Sequence, residues 1–216
     1  MKKILAGPTG IIDVPWAYER TSDHEKLRGY STDHEYPSLT TEELAKLPIG
    51  EMMNYLFMWT TGPFMEDAYK LIRAWGFKPI TSLYWVKCTE IHPGGIAFPP
   101  ELTHEGVEEN KFKFKPEYNV GYWFRGCVEP IILAKRPGVP SIRTPFIGLL
   151  SPNAGHSRKP QTLHQLCESH FPGPYIEIFG RRATPGWTVL GNEAPGDGAD
   201  IRVSIQKFLA ETVHNS

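Results

Sequence analysis

Ile11-Ile12-Asp13-Val14-Pro15-Trp16 runs from an apolar pair straight into a carboxylate, a turn-making proline and a large aromatic ring. An apolar run that meets a proline reads as a strand that stops there, because proline has no N–H to give to a sheet. The reading places a first strand over Ile4 to Ile12, interrupted by Gly7-Pro8, and leaves Asp13 in the loop that follows. A carboxylate in that place, with the Val14 carbonyl next to it and the Trp16 ring close by, can hold a flat heterocycle by an exocyclic amine. Such an amine is a poor nucleophile, since its lone pair is delocalised into the ring. Two acceptors, each taking one N–H, support the charge that develops when it attacks an electrophilic carbon.

Outward from this stretch, strand-like and helix-like runs alternate, which predicts a parallel α/β sheet. Thr40-Thr41-Glu42-Glu43 has the form of a capping box opening a short helix through Leu47, and Tyr55 to Thr60 reads as a strand. From Pro63 to Trp75, residues Phe64, Ala68, Leu71, Ile72 and Trp75 recur at helical spacing, with Gly76 placed to stop the helix. Ile80 to Val86 and Glu129 to Ala134 predict two further strands. Lys159 to His170 predicts a helix with Leu163, Leu166 and Cys167 inward, followed by strands at Tyr175 to Phe179 and Thr188 to Leu190 and a closing helix at Ile201 to Leu209. Two stretches break the rhythm, residues 17–37 and 88–119, and long irregular loops of this kind are expected to be lids or substrate-reading segments. No repeat or linker divides the chain, so a single domain over residues 1–216 is expected.

Composition excludes more than it selects. A chain of 216 residues can bury roughly 70% of the surface that its unfolded form exposes, enough for a core without staples. Cys88, Cys127 and Cys167 are odd in number and widely spaced, against both a disulfide framework and a zinc site, and they imply a reducing cytosol. The eight histidines show no metal-ligand spacing, so none is assigned to a metal. The apolar stretch behind Met1-Lys2-Lys3 is too short for a signal peptide, and no segment reaches membrane-spanning length, so a soluble cytoplasmic protein is expected. With net charge −1, any contact with nucleic acid has to be local. Lys111-Phe112-Lys113-Phe114-Lys115, with Tyr118 close behind, alternates cations and aromatics. In an extended segment this makes either a solvated lysine face or a phosphate-binding edge.

The C-terminal half supplies the remaining motifs. His156-Ser157-Arg158-Lys159-Pro160 opens an apolar-periodic segment, and Glu177-Ile178-Phe179-Gly180-Arg181-Arg182 is followed by Pro185-Gly186-Trp187 and Gly191-Asn192-Glu193. With Asp13 to Trp16 this order resembles the N(6)-adenine methyltransferase family named after the seventy-kilodalton catalytic subunit of the mRNA adenosine methyltransferase, the "MT-A seventy" family, and most of all its bacterial and phage members. Leu56-Phe57-Met58-Trp59-Thr60, Ala74-Trp75-Gly76-Phe77, Tyr84-Trp85-Val86-Lys87 and Gly121-Tyr122-Trp123-Phe124-Arg125 extend the resemblance over nearly the whole chain.

The resemblance implies a Rossmann-like fold that binds S-adenosylmethionine, with the motif order permuted so that the catalytic tetrapeptide comes first. It gives Asp13 and the Val14 carbonyl the target amine, Pro15 the turn and Trp16 the stacking surface. Lys159 would pair with the methionine carboxylate of the cofactor. Arg181, Asn192 and Glu193 would meet its ribose, Asp13 would border it, and S-adenosylhomocysteine would be the product. Lys111, Lys113, Lys115 and Tyr118 would contact nucleic acid. The implied reaction is methylation of the N(6) amine of adenine in DNA, with RNA as the alternative substrate and a non-catalytic nucleic-acid-binding partner subunit as the alternative role. Monomer and homodimer both stay open. Two departures stand out: Val14 replaces the more usual proline, and the Arg181 to Trp187 segment is short and lacks the His-Asn pair of the eukaryotic enzyme.

Each motif also has a plainer reading. Trp16 or Trp187 suits a core, and Lys159 before Pro160 suits the solvated opening of a helix. His156-Ser157 has no nucleophile elbow, and Gly7-Pro8-Thr9-Gly10 lacks the ending of a phosphate loop.

Overall fold

The computed structural model describes residues 7–16, 39–88, 96–97, 126–144, 148–152 and 158–214. In chain order these form β1 (Thr9–Asp13), α1 (Thr41–Ala45), α2 (Ile49–Met52), β2 (Tyr55–Trp59) and a 3-10 turn (Gly62–Phe64) leading into α3 (Met65–Ala74). There follow β3 (Lys78–Cys88), β4 (Ile96–Ala97), β5 (Val128–Lys135), β6 (Leu149–Pro152), α4 (Thr162–His170), β7 (Tyr175–Ile178), β8 (Trp187–Leu190) and α5 (Ile201–His214).

The strands make one sheet in the order β4-β6-β3-β5-β2-β1-β7-β8. Period-two alternation assigns the side chains to two layers. Ile12, Leu56, Met58, Ile132, Ile176 and Ile178 face a core that also holds Leu44 of α1, Ile49 of α2, Leu71 and Ile72 of α3, and Ile201 and Ile205 of α5. Ile11, Tyr55, Phe57, Trp59, Trp85 and Ile131 face the other way, onto Leu163, Leu166 and Cys167 of α4. Helices therefore cover both faces of the sheet.

Local chemistry accounts for the element ends. The Thr40 hydroxyl accepts from the Glu43 N–H at 3.2 Å while the Glu43 carboxylate accepts from the Thr40 N–H at 2.9 Å, completing the expected capping box. Helix α3 stops at Gly76, whose φ of +80° costs a glycine little. The Trp75 indole then donates to the Leu44 carbonyl at 2.8 Å and ties α3 to α1.

Several features differ from the sequence reading. The sheet is mixed: β5 runs antiparallel to both β2 and β3, and β4 runs antiparallel to β6. The end of β3 and the start of β5 thus lie at the same edge of the sheet. The predicted helix at Lys159 begins at Thr162 instead, because Pro160 disfavours helical backbone at the residue before it. Strand β6 was not anticipated; four residues ending in proline carry too little pattern. Nor was β4, which falls inside the stretch expected to be a loop. Helix α2 was not anticipated either, since the expected helix stopped at Leu47; the remaining elements lie where expected to within a few residues, α5 running five residues further. The 17–37 stretch lies outside the described residues.

Strand β1 has parallel neighbours on both sides, β2 from the next segment of chain and β7 from the far end of it. The chain reaches β2 through α1 and α2 on one face and enters β7 from α4 on the other. Such a switch point opens a crevice beyond the carboxyl ends of the strands. Asp13, expected in the loop, is instead the last residue of β1, held in the ladder opposite Trp59.

Candidate active site

Register brings a set of charged side chains to that crevice. Asp13 is paired with Trp59 and lies two residues past Ile11, so it shares the α4 face. Glu129 sits opposite Trp85 on the same face, two residues before Ile131. Because β5 is antiparallel, its first residues lie at the carboxyl edge of the other strands, beside Lys87 near the end of β3. Lys159, on the approach to α4, reaches over this edge. Its ammonium lies 2.8 Å from Glu129 Oε2, 3.4 Å from Asp13 Oδ1 and 5.1 Å from the centre of the Trp59 ring. Lys87 pairs with the other Glu129 oxygen and lies 4.9 Å from the Trp85 ring centre.

Asp13, Lys159, Glu129 and Lys87 therefore alternate in sign along one line of ion pairs. Their side chains are between 10% and 29% exposed, so water screens the line only in part. Burial pushes the Asp13 carboxyl above its ordinary range, and the nearby Glu129 adds to this against the pull of Lys159. Burial works the same way on Glu129, but the ammoniums of Lys159 and Lys87 outweigh it and hold that carboxyl below its ordinary range. Burial opposes the charge of Lys159, and its two carboxylates more than offset this and raise it.

The tetrapeptide has a defined shape. The Trp16 N–H donates to the Val14 carbonyl at 2.9 Å, closing a tight turn over Pro15, and the Val14 side chain is buried. A carbonyl has a second lone pair, so that oxygen keeps an acceptor site. The Trp16 ring stacks on Phe64 with centres 4.8 Å apart and planes 7° apart, so one of its faces is taken by protein. Its indole N–H is buried with no hydrogen-bond partner among the described residues.

Two clefts meet at Asp13. The first, about 580 Å³ and open to solvent, is lined by Asp13, Pro15, Leu39, Phe179, Asn192 and Glu193 among others. The second, about 880 Å³, takes in Arg158, Lys159, His164, Glu177 and Arg182. Asp13, Phe179, Gly180 and Arg181 border both. Phe179 has a φ of +63°, a strained conformation for a residue of its size. A Cβ on Gly191 would stand 3.1 Å from the Phe179 backbone, so a side chain there would press on the turn between the clefts. The Arg181 guanidinium lies 3.7 Å from the Glu193 carboxylate.

Asp13, Pro15, Lys159, Arg181, Asn192 and Glu193 thus border the clefts, with Val14 buried beneath them and Trp16 packed against Phe64. Lys111, Lys113, Lys115 and Tyr118 lie outside the described residues. Glu129 and Lys87 were missed by sequence reading, since the antiparallel course of β5 is what brings Glu129 to this edge beside Lys87. Also missed was His164, whose Nε2 lies 3.0 Å from Glu177 Oε2 and whose ring meets Trp187 edge-on. The Lys-to-helix spacing carried no signal for that pair.

Residues 10–193 match the MT-A70 family model. The N(6)-adenosine-methyltransferase catalytic subunit METTL3 of Homo sapiens is 24% identical over 169 residues, 74% of this chain and 26% of that protein. The type II methyltransferase M.MunI of Mycoplasma sp. is 26% identical over 209 residues, 88% of this chain and 78% of that protein. The N(6)-adenine-specific methyltransferase METTL4 of Mus musculus is 24% identical over 194 residues, 85% of this chain and 36% of that protein. The chain therefore spans about a quarter of the length of METTL3.

Proposed function

The chain belongs to the MT-A70 family, and on that premise we propose that it transfers a methyl group from S-adenosylmethionine to the N(6) amine of adenine in DNA. The observation that carries the reading is the position of Asp13, at the switch point of the sheet and on the wall shared by both clefts. One carboxylate there can touch an amine and a cofactor together.

The residues fit S-adenosylmethionine. Lys159 has three N–H donors and only two carboxylate partners in the ion-pair line, so one donor is left for a ligand carboxylate. Arg181, Asn192 and Glu193 line the first cleft as donors and acceptors for ribose hydroxyls, beside apolar Leu39, Phe179 and Ile201. When bound, the cofactor supplies a methyl group already activated on a sulfonium. Asp13 and the free lone pair of the Val14 carbonyl accept the two N–H bonds of the target amine and support its developing charge. Once the new bond has formed, the amine is acidic enough to pass its proton to Asp13 or water. The protein's remaining task is alignment and exclusion of solvent. In duplex DNA the adenine has to be turned out of the stack first, at a cost of about a few kcal/mol.

We read the chain as one methyltransferase domain, with the strand carrying the catalytic tetrapeptide placed ahead of the cofactor motifs in a permuted Rossmann-like order. DNA is favoured because the type II methyltransferase is matched over most of its own length. RNA is the second reading, favoured by the adenosine-methyltransferase name of METTL3. The test is expression in a methylation-deficient bacterium, with nucleoside mass spectrometry of DNA and RNA separately. N(6)-methyladenine in DNA that disappears with Asp13→Ala is expected. Methylation confined to RNA would replace the DNA reading, and none in either would remove both.

A further inference from the structure

The second cleft holds more positive charge than its own residues use. Its walls carry Arg158, Lys159, Arg181 and Arg182 against Asp13 and Glu177. Both carboxylates are engaged, Asp13 with Lys159 and Glu177 with His164. Lys159 is further matched by Glu129, and Arg181 lies beside Glu193. A neutral His164 only hydrogen-bonds Glu177 and cancels no charge, yet even with Glu177 set against one arginine the cleft keeps a positive surplus, carried at its exposed edge by Arg158 and Arg182. Both are exposed, and neither forms an ion pair among the described residues. Two like-charged guanidiniums at one mouth repel each other and gain nothing for the fold, so their placement calls for an anion from solvent.

We infer that Arg158 and Arg182, at the mouth of the second cleft, dock the phosphodiester backbone of the nucleic acid whose adenine reaches Asp13; this rests on the adenine-methyltransferase reading above. The guanidinium fork matches the spacing of phosphate oxygens and remains charged at any working pH. The cofactor carboxylate is a weaker claimant, because Lys159, with a side chain only 20% exposed, already offers a countercharge deeper in. A polymer that approaches from solvent meets the exposed arginines first. Asp13 borders the same cleft, and a base held there carries a phosphate on either side of its sugar. With a net charge of −1 over the whole chain, a local pair of cations has to do the positioning that a broad basic field does elsewhere.

The test measures binding of a fluorescein-labelled mixed-sequence DNA duplex between 50 and 200 mM salt, for wild type and for R158A/R182A, with S-adenosylmethionine affinity measured calorimetrically on the same samples. The double variant is expected to bind DNA more weakly and to lose about 0.9 of slope in log K against log salt for each missing contact. Cofactor affinity is expected to stay within twofold. R158K/R182K should keep the wild-type slope, and the single variants R158Q and R182Q, which disturb the fold least, should each lose about half of the effect. An unchanged slope overturns the inference. So does a loss of cofactor affinity with DNA binding intact, which would give the arginines to the cofactor. The two readings fail separately: a wild type that methylates DNA with a slope indifferent to both arginines sinks this inference alone, whereas a wild type that makes no N(6)-methyladenine sinks the functional reading.

Discussion

The two clefts that meet at Asp13 differ in how they handle charge. In the first, apolar Leu39, Phe179 and Ile201 alternate with charges closed in pairs, Arg202 on Asp200 at 2.9 Å and Arg181 beside Glu193. In the second, cations outnumber carboxylates and both carboxylates already have partners. A slot with balanced charge and apolar walls favours a flat, largely neutral group such as a nucleoside, whose burial is not opposed by an unpaired ion. A slot with surplus cations selects anions. Asp13 serves both because it is the last residue of β1, between β2 on one side and β7 on the other. The contrast predicts that substitution of the shared carboxylate acts on the transfer step, while substitutions further out act on the binding of one ligand.

The largest effect is expected at the shared carboxylate. Asp13→Ala removes an acceptor aimed at the charge that develops on the amine, and loss of one such group costs on the order of 100-fold or more in turnover. Methylation measured with radiolabelled cofactor should fall by at least that factor while cofactor affinity changes little. Near-normal turnover would take Asp13 out of the chemistry and leave the junction of the clefts without a function.

Lys159→Ala comes next and should act mainly through the cofactor. A charged hydrogen bond contributes about 1.5–3 kcal/mol, which corresponds to a rise of roughly 10-fold to 150-fold in the dissociation constant for S-adenosylmethionine. A decarboxylated analogue, lacking the group that Lys159 would meet, should lose little. Equal losses for both ligands would mean that the substitution has collapsed the ion-pair line around Glu129 instead of removing one contact.

Much of this contrast was legible in the chain, for physical reasons. Asp13 was readable because the strand break at Pro15 and the apolar pair before it are local signals, whereas Arg181, Asn192 and Glu193 came through the family resemblance of short motifs that end within a few residues of β7 and β8. Glu129 was not. Its place depends on the direction of β5, and an apolar strand reads the same in either direction; a parallel β5 would have carried Glu129 to the opposite edge of the sheet. The Trp16–Phe64 stack was hidden likewise, since Phe64 counted as one more residue on the apolar face of α3 and instead ends the 3-10 turn before it. Signals within about ten residues survived the reading, and those set by strand pairing did not.

The smallest expected effect separates the two carboxylates that share Lys159. Asp13 sits above its ordinary range, so folding disfavours its ionised form; Glu129 sits below its range, so folding favours it. Glu129→Gln should therefore lower the melting temperature at neutral pH. The loss is about 1 kcal/mol, or roughly 2–4 °C for a chain of this length. That loss should hold as pH falls to about the ordinary value of 4.5 and shrink below it, as wild-type Glu129 also becomes protonated in the folded state. Asp13→Asn should do the reverse: a small gain in melting temperature at neutral pH, closing as pH falls through the raised folded value and gone by the ordinary 3.8. A carboxylate that destabilises its own fold is retained for what it does to a ligand. Thermal melts of the three proteins from pH 3.5 to 7.5 decide the matter. If both substitutions destabilise equally at neutral pH, Asp13 is one more structural ion pair, and the shared wall loses its claim to be the reactive one.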